Sequence, residues 1–140
     1  MNQQEILARN LLDHAKQFRD ASIRLSNNEP FIFHPTFYCV IHSLELAIKA
    51  HLAFVGISKK KLSSKGLGHN LAALIKEVEV RNMQDSLQLN DLDRLNISQG
   101  SKNYAGKCFE YPEDPGITFS CDIWHDWTNK VINGFPKYKS

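Results

Sequence analysis

The chain reads as an all-α protein, an up-and-down bundle of about five helices. Three observations carry that expectation. Apolar residues recur at steps of three and four in successive segments, the period of one helix face. Breaks separate the segments: Asn27-Asn28-Glu29-Pro30, the stretch from Ser58 to Gly68, and Gly134 with Pro136. No stretch alternates long enough to build a sheet, and no repeat or low-complexity segment is present. At 140 residues, 42% hydrophobic and 23% charged, residues 1–140 are read as one domain able to bury a core without disulfide or metal staples.

The first helix follows from Leu7, Leu11, His14, Phe18, Ala21 and Leu25, which share one face. Asn27 to Pro30 stops it, and Pro35 restricts the end of the linker that follows. The second helix is expected from about Thr36 to Val55. At 100° per residue, Phe37, Ile41, Leu44, Ile48, Leu52 and Val55 fall on one side. Cys39, Ser43, Leu46, Ala50 and Ala53 make a second face of mostly small residues where another helix can approach closely. Tyr38, His42, Glu45 and Lys49 are left as a narrow polar stripe, so the helix is central in its bundle or shared with a partner subunit. Ser58 to Gly68 reads as a basic loop. Asn70 then caps a third helix carrying Leu71, Leu74, Ile75 and Val78. A fourth runs from about Ser86 through Leu89, Leu92 and Leu95 and frays near Gly100; Tyr104 to Pro115 is irregular. Ser120 caps a last helix holding Ile123, Trp124, Trp127, Val131 and Ile132.

A net charge of +2 and a pI near 8.4 fall short of the strongly basic signature of a dedicated nucleic-acid binder. Cys39, Cys108 and Cys121 form no CxxC pair, so neither a disulfide framework nor cysteine-based metal ligation is expected. Residues 1–5 lack a signal-peptide pattern, and no apolar run reaches the roughly 20 residues of a bilayer span. A cytoplasmic protein without cofactor or metal is the expectation. Glu110, Glu113, Asp114, Asp122 and Asp126 have no histidines at metal-ligand spacing and read as surface. No Gly-x-Ser-x-Gly elbow or Cys–His arrangement supports acyl chemistry.

Three groups of residues are candidates for binding. Glu45 and Lys49 stand four apart on the polar stripe. They are either a partly buried ion pair fixing helix register or, with His42 and Tyr38, the wall of a cleft that reads a phosphate or a base. His69 is expected at the start of the third helix, where free N–H groups favour an anion. Lys59, Lys60, Lys61 and Lys65 precede it, with Gly66 and Gly68 permitting close backbone approach. The alternative is solvated loop charge with His69 and Asn70 merely capping the helix. Tyr104, Lys107, Phe109 and Tyr111 interleave aromatics with a base, suited either to stacking on unpaired bases or to packing on the bundle. Trp124 and Trp127, flanking His125, read as core or subunit contact.

The run Ser43-Leu44-Glu45-Leu46-Ala47-Ile48-Lys49-Ala50, then Gly68-His69-Asn70-Leu71, then Tyr104-Ala105-Gly106-Lys107 with Tyr111-Pro112, resembles the HEPN domain family over roughly residues 5 to 112. The resemblance implies a commonly dimeric helical bundle associated with RNA or nucleotides. Some members are metal-independent ribonucleases of toxin–antitoxin or defence systems; others are inactive partners of nucleotidyltransferases. Active members carry a late Arg-x(4–6)-His signature, and here no arginine follows Arg94. Arg9 and His14 meet the spacing, but on one helix their side chains point about 140° apart. The expected function is therefore a non-catalytic, homodimeric binding module for nucleotide, RNA, or a nucleotidyltransferase or antitoxin partner. Its alternatives are a ribonuclease with a rearranged site, using His69 or His42 with Lys49 or Lys107, and a purely structural interaction protein.

Overall fold

The computed structural model describes residues 2–104 and 119–136, all of them helix or connecting turn. The elements are α1 (Gln3–Ser26), α2 (Phe33–Phe54), α3 (Lys59–Leu62), α4 (Leu71–Val80), α5 (Gln84–Leu87), α6 (Asp91–Tyr104) and α7 (Cys121–Asn133). The fold is an all-α bundle. Seven helices replace the expected five among the described residues, because the connection after α2 winds one turn as α3 and the fourth expected helix is split into α5 and α6. The Tyr104–Pro115 segment, with Lys107, Phe109 and Tyr111, lies outside the described residues, apart from the backbone of Tyr104 at the end of α6.

The α1–α2 hairpin is the frame. Gln4 donates to the carbonyls of Ala53 and Ile57, Ser43 to Ala15, and Ser22 to Thr36, so the two helices run antiparallel along their lengths. Small residues on both helices are fully buried, Ala8, Ala15 and Ser22 on α1 and Ser43, Ala47 and Ala50 on α2, with Leu12 buried on the same face of α1. This shifts the buried face of α1 by one residue. Leu7, Leu11 and Phe18 flank the contact, partly buried, and His14 is exposed rather than part of the apolar face.

α2 starts three residues earlier than expected. Pro35 sits in its first turn, where a missing N–H costs nothing because that N–H has no acceptor within the helix. Every residue from Ser43 to Ala53 is buried, and Val55, expected on the apolar face, turns out to solvent at the helix end. By length and composition alone α2 qualifies as a membrane-crossing helix, contrary to the sequence reading. In this fold 72% of that window is buried among the other helices.

α7 lies against both: His51 on α2 bonds the Val131 carbonyl, and Arg19 on α1 reaches Asn129. Trp124 and Trp127 are core, meeting edge to face at 4.9 Å. α4 buries all four expected residues and packs on α6. The fourth expected helix is broken. Gln88 takes a left-handed conformation after α5, and Asn90 and Asp93 then cap α6 reciprocally. The break resets the helical phase, so Leu92 and Leu95 face solvent while Arg94 is buried, bonded to the Leu89 carbonyl, Glu79 and Asp91.

Candidate functional site

The polar stripe of α2 becomes a site because a connection from elsewhere folds over it. Helical spacing brings Tyr38, His42, Glu45 and Lys49 onto one flank. After α2 the chain makes the single turn α3, capped by the Ser58 hydroxyl accepting from the Lys61 N–H. Leu62 and Leu67 anchor this segment in the core. The turn then tightens: the Gly68 N–H donates to the Ser64 carbonyl at 2.7 Å. A Cβ on Gly68 would stand 2.9 Å from that same oxygen, so the position needs glycine for close approach. His69 follows with φ of 57°, left-handed, and Asn70 caps α4 through its side chain to the Ala73 N–H. His69 is therefore not the first residue of the helix. It stands just ahead of the cap, and its ring turns back over α2.

The Glu45 carboxylate is the hub. Lys49 Nζ donates to its Oε2 at 3.1 Å, His69 Nδ1 lies 3.3 Å from that oxygen, and His42 Nδ1 lies 3.7 Å away. The side chains of Glu45 and Lys49 are 7% and 10% exposed, whereas that of His69 is 80% exposed. One wall of the cluster is thus deep and the other open to water. The His42 ring is set by the Phe18 edge at 4.6 Å and by Tyr38 stacked at 5.5 Å, and the His69 ring centre lies 6.1 Å from it. Burial lowers the His42 pKa, partly opposed by Glu45 and reinforced by His69 and Lys49, so its imidazole is neutral at pH 7.

Of the expected residues, Glu45, Lys49, His42 and His69 come together, with Tyr38 at the rim. Lys61 is drawn to Glu77 on α4 at 3.4 Å. Lys59, Lys60 and Lys65 are exposed and make no side-chain bond among the described residues. The side chain of Tyr104, and Lys107 and Tyr111 altogether, fall outside the described residues. Three ligand-type groups, His42, Glu45 and His69, each offer an atom within 4.8 Å of the others. The sequence reading found no such constellation, because its third member arrives through a turn 24 positions on. Phe18 was likewise missed as a site residue. No family model, curated protein or solved structure matches this chain. The site rests on its geometry alone.

Two other arrangements are structural. On α7, His125 Nε2 lies 2.9 Å from Ser22 Oγ and 4.0 Å from Cys121 Sγ. Ser22 gives its hydroxyl proton to the Thr36 carbonyl, so it accepts from His125 Nε2–H. Burial pushes the Cys121 thiol up, which keeps it protonated and a poor nucleophile. Arg9 lines an open groove with Asp13, Lys16 and Phe135, while His14 is not among its lining residues.

Proposed function

We propose that this protein is a non-catalytic binding module for a phosphate-bearing ligand, a nucleotide or single-stranded RNA. The ligand docks at the His42–Glu45–Lys49–His69 cluster and along the lysine-bearing connection that ends in it. One observation carries the reading: an exposed imidazole closes over a buried Glu45–Lys49 pair, at the end of a segment whose exposed Lys59, Lys60 and Lys65 have no acidic partner among the described residues. Such a segment gives phosphate oxygens ammonium partners. The order of the Ser43–Ala50 and Gly68–Leu71 motifs, similar to that of the HEPN family, supports the same reading.

The test is a titration of the full chain with labelled single-stranded RNA and a nucleotide panel at two salt concentrations, with the RNA run on a gel afterwards. Salt-sensitive binding of intact RNA is expected, and replacing Lys59, Lys60 and Lys61 by Ala should lower the log–log salt slope by about 2. Absence of binding, or binding indifferent to salt and to those lysines, overturns the reading. One observation favours a second reading: two imidazoles 6.1 Å apart beside an ammonium group are the parts of a general acid–base pair for phosphodiester cleavage. Cleaved RNA, lost in both His42→Gln and His69→Gly, would make the protein a ribonuclease.

A further inference from the structure

We propose that His42, Glu45 and His69 form a binding site for one divalent transition-metal ion of the zinc class. The inference goes beyond the phosphate-ligand reading and does not rest on it. Two imidazole nitrogens and one carboxylate oxygen are the donor set of zinc sites that keep an open position. Around a tetrahedral ion with bonds of roughly 2.0–2.1 Å, neighbouring ligand atoms stand about 3.3 Å apart. The His69–Glu45 separation is 3.3 Å, the His42–Glu45 separation 3.7 Å, and all three ligand atoms lie within 4.8 Å of one another.

The three ligands differ in mobility in a way that suits capture of an ion. His42 is held between Phe18 and Tyr38, and Glu45 is buried on the same helix, so two ligands are fixed in advance. His69 is exposed, and its ring has room to swing towards His42 and bring the two imidazole nitrogens, which lie within 4.8 Å of each other, to bonding distance of one ion. Its backbone supplies a separate observation. A histidine at φ of 57° holds a conformation that glycine would adopt without steric cost, and the ring it carries points at a carboxylate. Nitrogen ligands select against magnesium and calcium, which prefer oxygen, and in favour of zinc and its neighbours.

Lys49 does not bar the ion. A carboxylate oxygen has about two lone-pair positions, so Glu45 Oε2, which Lys49 Nζ meets at 3.1 Å, keeps a second position for the ion. The solvent side of His69 leaves the remaining coordination positions to water or to an anion.

EDTA-treated full-length protein is titrated with Zn²⁺ against a chromophoric chelator, and with Co²⁺ by visible absorption, with no nucleic acid present. Failure here therefore says nothing about the phosphate-ligand reading. One equivalent should bind, and the cobalt form should show the intense bands of tetrahedral coordination. His69→Gly keeps the left-handed turn and so the fold, checked by thermal melting, but should weaken zinc binding by at least about 100-fold. His69→Asn, which also tolerates that conformation, should behave alike. A wild-type protein that takes up no saturable equivalent overturns the site. So does zinc that binds both His69 variants as tightly as the wild type.

Discussion

Lys49→Met is the most informative perturbation of the stability of this protein. The Lys49 ammonium stands 3.1 Å from Glu45 Oε2, and the two side chains are 10% and 7% exposed. At an effective dielectric of about 20, that separation corresponds to roughly 5 kcal/mol of attraction, much of it offset by removing both charges from water. The net worth of the pair is therefore small, but the cost of breaking it is not. Methionine keeps the stem of Lys49 packed while leaving Glu45 charged and buried, which costs on the order of 3–5 kcal/mol. His69 Nδ1, 3.3 Å from the same oxygen, pulls the expected value to the lower end, near ~3 kcal/mol. The assay is urea unfolding of wild type, Lys49→Met, Glu45→Gln and the double variant at pH 7.5. The double variant should recover at least about half of the summed single losses, because neither charge is then stranded. Single variants that each lose less than about 1 kcal/mol, with losses that add, would refute the argument that this pair acts as one buried unit.

Two further outcomes follow from burial and close packing. His51 is buried and its Nε2–H donates to the Val131 carbonyl, with a pKa lowered first by burial. A histidine depressed in the folded state takes up its proton more readily unfolded. Its stabilising share is thus whole above the ordinary value of 6.5 and is lost as pH falls through the folded value. Urea midpoints should fall between pH 7.5 and 5, and His51→Gln, which retains an N–H donor, should flatten that slope; an unchanged slope would assign it to His42 and His125, whose pKa values are also lowered. At the end of α7, a Cβ on Gly134 would stand 2.1 Å from the Ser86 carbonyl oxygen. Gly134→Ala should cost about 1–3 kcal/mol, read as a lower melting temperature, because a backbone atom cannot rotate away.

The helices were legible where pattern and caps agreed. Asn70 and Ser120 cap α4 and α7 where the sequence put them, and Leu71, Leu74, Ile75 and Val78 are all buried. The misreadings have one physical root: a pattern of large apolar residues was followed where small ones, or a break, decide the packing. The buried face of α1 is Ala8, Leu12, Ala15 and Ser22, three of them small, whereas Leu7, Leu11 and Phe18 only flank it. The leucines at 89, 92 and 95 fit a single helix by spacing, yet one left-handed residue at Gln88 divides it and sends the latter two outward.

The site shows a different boundary. The stripe Tyr38–His42–Glu45–Lys49 follows from helical period, and so does the pairing of Glu45 with Lys49. Nothing in periodicity brings His69 to the same oxygen. That requires Leu62 and Leu67 to pin the connection, Gly68 to let it pass Ser64, and a left-handed turn to aim the ring. Each of these is a local feature of the sequence, but their sum is a distance, and only the folded backbone supplies it. A buried carboxylate with one ammonium partner is already neutralised. Two imidazoles within 3.7 Å of the same oxygen are more than its charge needs, which is why the cluster offers donor atoms to a ligand beyond the ion pair itself.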